Sequence, residues 1–163
     1  MRKFKVIFPT VIAFLAVAIF IFTYIKYQKK EAYVFKCDAD VRYDVKDENG
    51  VATIDALYVL SLGSDRKGFL HMTGVVKRDG IKNDLNRTYY FDYTKNTKID
   101  IFKILITEEK VSVFDGVDSV FFHETFLPEK PGQSVYIKAN RIRDNLYVFN
   151  GFSYTHLLCS GTE

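Results

Sequence analysis

No acidic residue occurs before Glu31, tryptophan is missing altogether, and the chain holds only two cysteines and three prolines. Also missing are the short motifs that mark common catalytic centres. There is no G-x-S-x-G nucleophile elbow, no H-E-x-x-H zinc motif, no C-x-x-C pair, no P-loop and no G-x-G-x-x-G turn. These absences leave no constellation for nucleophilic, metal-dependent or nucleotide chemistry. The expectation is a protein that is not an enzyme, with no cofactor and no metal. Basic residues are also scarce where nucleic acid would need them. Six of the 23 Lys and Arg fall in residues 1–30, and all 20 Asp and Glu follow them. Beyond residue 30, seventeen basic residues face twenty acidic ones, a net charge of −3. That region has no basic excess to offer nucleic acid, whereas the N-terminal excess of +6 suits anionic lipid headgroups.

What is present first is Val6–Ile25, twenty residues without a charge. At about 1.5 Å per residue, a helix of this length covers roughly 30 Å, the hydrocarbon thickness of a bilayer. The stretch reads as an uncleaved membrane anchor. No A-x-A-like pair follows it, and Lys36 precedes Cys37 where a lipobox needs a small residue. The flanking charges tie, with Arg2, Lys3 and Lys5 against Lys26, Lys29 and Lys30. The short leading tail and the cysteines favour a cytoplasmic N-terminus and an external, periplasmic domain. The expected layout is a cytoplasmic tail 1–5, a transmembrane helix 6–25, a juxtamembrane linker 26–32 and a periplasmic β domain 33–163. Cys37 and Cys159 stand at the two ends of that domain. A disulfide between them would close a loop of about 120 residues and fit an oxidising compartment. Two buried free thiols are the alternative.

Periodicity argues for a mainly β domain. From Tyr33 to Val45, aromatic and small apolar residues at odd positions alternate with Lys36, Asp38, Asp40, Arg42 and Asp44. Asp47–Gly50 is a turn, and Val51–Leu62 alternates again. Further strands are expected over Phe69–Arg78, Leu85–Tyr93, Ile99–Thr107, Ser134–Ile142 and Leu146–Tyr154, with the tail TyrThrHisLeuLeuCys carrying Cys159. Asp118 is a candidate N-cap for a short helix that places Phe122 and Phe126 on one face. The result is an antiparallel meander of about seven strands with one short helix. It is either a lipocalin-like barrel or a half-barrel, an open sheet packed on the helix. Closure would bring the first and last strands together and put the cysteines at the seam.

Candidate functional residues are few. His71, His123 and His156 are the only histidines, and His123 and His156 are candidates for pH sensing, with satisfied or surface histidines as the plainer role. Tyr33, Phe35, Tyr43, Tyr89, Phe91, Phe122 and Phe126 are candidates to line an apolar ligand cavity, with core filling as the alternative. Asp38 and Asp40 share a strand face but lack the further oxygens a hard cation needs. Asn86-Arg87-Thr88 fits a glycosylation acceptor, a pattern common by chance. Phe69–Arg78 or Ser134–Ile142 would be the sheet edge open to strand addition.

The anchor, the early CysAspAlaAsp at 37–40, the Arg87–Tyr93 strand, and the closing stretch 141–151 ending at LeuLeuCysSer together resemble the FidL-like family. These are small bacterial inner-membrane accessory regulators, among which the PsaF-like and VtrC-like groups share this layout. The absent tryptophan removes the Gly-x-Trp strand signature of standard lipocalins. The resemblance implies a single-pass inner-membrane protein whose periplasmic domain pairs with a ToxR-like membrane-bound winged-helix transcription regulator. Virulence or fimbrial genes would be the output, and pH or an apolar ligand the signal. A stand-alone periplasmic barrel that binds lipids or bile acids is the alternative. A five-residue cytoplasmic tail cannot itself read DNA, so any effect on transcription must pass through a partner.

Overall fold

A computed structural model describes residues 17, 19–20, 33–47, 50–96, 99, 101–127, 129–151 and 155–162, with backbone alone at 33–34, 47, 155–156 and 162. The chain divides into two units, Met1–Ala32 and Tyr33–Glu163. Of the expected anchor Val6–Ile25, only Val17, Ile19 and Phe20 are described, as helical and exposed, and the rest lies outside the described residues. Among the described residues, no helix is long and apolar enough to cross a membrane.

The second unit is β1 (Tyr33–Asp47), β2 (Gly50–Gly63), β3 (Lys67–Arg78), β4 (Ile81–Asn96), β5 (Ile101–Val111), the helix α1 (Ser119–Thr125), β6 (Ser134–Arg143), β7 (Leu146–Asn150) and β8 (Thr155–Thr162). The eight strands follow one another around a closed antiparallel barrel. The alternation that defined β1 is the reason for its curvature around a core. Cys37 and Ala39 are buried, whereas Lys36, Asp38, Asp40, Arg42 and Asp44 face water. The link between β3 and β4 is Asp79-Gly80, both at positive φ (52° and 79°), the twist that a two-residue hairpin requires.

Two expectations need correction. The strand count is eight, not about seven, because the tail carrying Cys159 is itself β8. Its buried Leu157, Cys159 and Gly161 alternate with exposed Leu158 and Ser160, a pattern too short to stand out in the sequence. Nor is Phe69–Arg78 a sheet edge, since β3 pairs along its length with both β2 and β4. Ser134–Ile142 lies within β6, which pairs with β5 over Ser134–Lys138 and with β7 over Lys138–Arg143, so that each half is paired on one side.

The seam is three residues long: Lys36, Cys37 and Asp38 face Thr162, Gly161 and Ser160. Cys37 and Cys159 are joined across it by a disulfide, their Cα atoms 5.6 Å apart. Gly161 fits closely there, since a Cβ would lie 3.0 Å from the rings of Phe35 and Tyr147 and those rings would have to give way. Two apolar cores fill the barrel. One, around Cys37, Leu60, Leu62, Phe149, Leu157 and Cys159, backs the seam. The other, around Ile54, Met72, Val76, Leu85, Phe122 and Phe126, is covered by α1. Asp118 caps that helix by accepting the Phe121 N–H at 2.8 Å, and Phe122 is fully buried. At this end the core includes the small Ala52 and Ala56, and Gly74 lets β2 approach closely, since a Cβ there would lie 2.5 Å from Ala56 Cα.

The disulfide spans 122 residues, so the chain-entropy model assigns it about 4–5 kcal/mol. Replacing both cysteines by serine, or adding reductant, is expected to lower the unfolding free energy by about 2–4 kcal/mol, allowing for compact unfolded chains. Urea titrations with and without reductant measure this. Equal midpoints would show that the seam holds without its cross-link.

Candidate functional site

The inward positions of β4 are Leu85, Arg87, Tyr89, Phe91 and Tyr93, and Arg87 has no exposed surface. A buried guanidinium must be paired, since an isolated charge in an apolar interior is strongly disfavoured. Asp115, its side chain equally enclosed, accepts from Arg87 Nε at 2.9 Å and from Nη2 at 3.0 Å, the two-pronged match of guanidinium and carboxylate. Nη2 also donates to the Val117 carbonyl, and Nη1 reaches Glu109 Oε1 at 3.4 Å. The Phe122 ring lies 4.5 Å from the guanidinium carbon. Asp115 accepts in addition from the backbone N–H groups of Asn86 and Val117, at 2.8 and 2.9 Å, which folds the segment before α1 around it. Burial opposes the charge on Arg87, but the hydrogen bonds and charge of Asp115 outweigh it, and its pKa is raised.

Glu109 reaches this cluster through a β-bulge. Tyr90 faces Glu108 and Phe91 faces Ile106, so Thr107 is an extra residue in β5, and its hydroxyl donates to the Tyr90 carbonyl at 3.1 Å. The insertion inverts the alternation: Ile104 and Ile106 turn inward before it, Glu109 after it. Glu109 Oε1 then accepts from the Tyr89 hydroxyl at 2.6 Å, and Oε2 lies 2.9 Å from His123 Nε2. The other ring nitrogen of His123, Nδ1, is 2.9 Å from the Leu127 carbonyl. A carbonyl can only accept, and Glu109 already accepts from Tyr89 and Arg87. Nδ1 of His123 therefore donates to the Leu127 carbonyl. Burial, and after it Glu109, push the Tyr89 phenol up from its ordinary value.

Between the two cores lies an apolar cavity of about 530 Å³, within the range of small-molecule sites. Leu60, Leu70, Ile104, Ile137, Phe149 and Leu157 supply aliphatic and aromatic wall, and Glu124, Thr125, Phe126, Leu127 and Glu129 form its α1 end. Four tyrosines contribute as well, with their hydroxyls engaged. Tyr89 donates to Glu109, Tyr93 to the Gly63 carbonyl at 2.7 Å and Tyr43 to the Phe126 carbonyl at 3.4 Å. Tyr58 hydrogen-bonds with Tyr43; burial, and after it Tyr43, raise its pKa.

Of the candidate lining residues, Tyr43, Tyr89, Phe91 and Phe126 lie on this cavity. Phe35 instead packs edge-on against Tyr147 near the seam, at 4.8 Å, and Phe122 lies under Arg87. The side chains of Tyr33 and His156 lie outside the described residues. His71 is bonded through Nδ1 to the Thr88 hydroxyl at 2.9 Å, and Asp38 sits in solvent beside Lys36. Among the described residues, no group of three or more acidic, His or Cys side chains converges as a metal site would need. Asn86 is half-buried within β4 beside the fully buried Arg87, a poor position for a glycan. Arg87, Glu109 and Asp115 were not foreseen as site residues. The signal for Arg87 was available, because it falls in phase with Leu85, Tyr89 and Phe91. Compared with known proteins, residues 74–159, just over half of the chain, match the family model described as FidL-like putative membrane protein. No curated protein matches the chain.

Asp115→Asn keeps the shape but strands the Arg87 charge, and is expected to cost about 3–5 kcal/mol in urea unfolding. The double variant Arg87→Met/Asp115→Leu should recover much of that loss. A cost below about 1 kcal/mol for Asp115→Asn would mean that the pair does not hold the fold. The raised phenols give a pH dependence of defined sign. Unfolded tyrosines ionise near pH 10, whereas folded Tyr58 and Tyr89 keep their protons, so this stabilisation is complete below about pH 10 and is lost as pH rises beyond it. Tyr58→Phe with Tyr89→Phe should flatten the fall in thermal midpoint between about pH 9 and 11, as read by circular dichroism.

Proposed function

The chain belongs to the FidL-like family, and from that premise we propose that it is an accessory subunit of a membrane-bound transcription regulator. In this reading an N-terminal anchor holds the barrel in the periplasm, where it binds and modulates a ToxR-like winged-helix protein that controls virulence or fimbrial genes. The observation that carries the reading is an incomplete closure. β8 pairs with β1 only at Lys36–Asp38, and among the described residues β1 from Ala39 to Asp47 is paired with β2 alone. That segment offers backbone donors and acceptors to an added strand. It also runs beside α1, where the Tyr43 ring stands 5.8 Å from that of Phe126. A strand added there would sense how α1 is held, and a regulator whose two states bind this surface unequally would be shifted by it. His123 gives the surface a dependence on protons. It faces Glu109 on β5, with Tyr89 and Arg87 of β4 on the same carboxylate. The second reading, a stand-alone barrel that takes lipids or bile acids, is favoured by the cavity.

The full chain should co-purify with the membrane-bound winged-helix regulator, and photo-crosslinkers at exposed Arg42 or Asp44 should capture it while one at exposed Lys103 does not. His123→Gln should flatten any pH dependence of that capture. Absence of co-purification rejects the accessory role. Co-purification without capture from β1 rejects this edge as the contact.

A further inference from the structure

The polar groups around the cavity are unevenly distributed. No Lys, Arg or His belongs to its lining. Its four tyrosine hydroxyls spend their protons inside the protein, on Glu109, on the Gly63 and Phe126 carbonyls, and between Tyr58 and Tyr43. The charged groups of the lining are two carboxylates, Glu124 on α1 and Glu129 just beyond it. Glu124 is exposed and Glu129 half-buried, so they mark the side on which the cavity meets solvent. Neither meets a cation among the described residues.

We propose that this cavity selects an amphiphile with an apolar body and a cationic head, held at the α1 end by Glu124 and Glu129. The inference rests on the second reading above, in which the cavity is a ligand site, and is independent of the regulator. An anionic head at the same place would find no cationic side chain on the lining and would stand against two like charges. A cationic head gains both carboxylates and the aromatic rings of Tyr43, Tyr58 and Phe126 on the same lining. The apolar body accounts for the rest of the space, with aliphatic contacts from strands on opposite sides of the barrel. This assigns the site a chemistry opposite to that of bile acids or fatty acids, whose heads are carboxylates or sulfonates.

Three probes share one body and differ only in head: 1-adamantylammonium, 1-adamantanol and 1-adamantanecarboxylate. Titrated calorimetrically into the full chain in zwitterionic nanodiscs, with empty nanodiscs subtracted, the ammonium should bind about tenfold tighter than the carboxylate, the alcohol falling between them. Glu124→Gln with Glu129→Gln should bring the three to within about twofold of one another. A carboxylate that binds as tightly as the ammonium overturns the assignment of charge and leaves the cavity as a ligand site. A preference that survives the double substitution overturns the role of the two glutamates. Failure of all three probes to bind overturns the ligand site itself, without touching the partner reading.

Discussion

A charge without solvent sets the terms for one end of this molecule. Arg87 has no exposed surface, and the barrel tolerates it because Asp115 meets it with two hydrogen bonds and is itself held by the N–H groups of Asn86 and Val117. Everything near it is arranged to complete that exchange. The segment 112–118 wraps the aspartate, α1 lays Phe122 against the guanidinium, and β5 supplies Glu109. Ion pairs of this kind add little net stability compared with apolar substitutes, but breaking one partner is costly. Their contribution is specificity: α1 has one place to sit, because only there are both charges satisfied.

The two ends of the barrel are consequently held by different means. At the seam a covalent bond joins β1 to β8, and packed rings join β1 to β7 beside it. At the α1 end, a seven-residue helix and a polar cluster do the same work with non-covalent contacts. The cavity lies between them, and its acidic side is the side built from α1 and the residues after it. A ligand at that end, a strand beside β1 and a proton on His123 would thus act on one small group of contacts. The FidL-like assignment, which covers β3 to β8 in large part, includes the polar cluster and Cys159.

Much of the architecture was legible in the chain. The alternation in β1 and β2, the Asp79-Gly80 hairpin and the Asp118 cap are local signals, and each is local in the structure as well. What escaped was non-local. β8 is short and reads as a tail until β1 and β7 are there to pair with it, and the interior status of β3 shows only once β2 and β4 flank it. Arg87 was visible by phase alone, in line with Leu85 and Tyr89, yet its meaning depended on Asp115, 28 residues away. Glu109 was hidden more thoroughly. Counted by twos from Ile104 and Ile106 it points outward, and only the bulge at Thr107 reverses this.

That bulge makes β5 a strand of two parities. Straightening it with every residue kept would restore a regular ladder, while turning Glu109 to solvent and leaving Tyr89 and His123 facing an empty corner. The more regular strand would be the poorer one. A single supernumerary residue is thus what allows one strand to furnish the greasy wall of a cavity with its first half and the anchor of a charged cluster with its second.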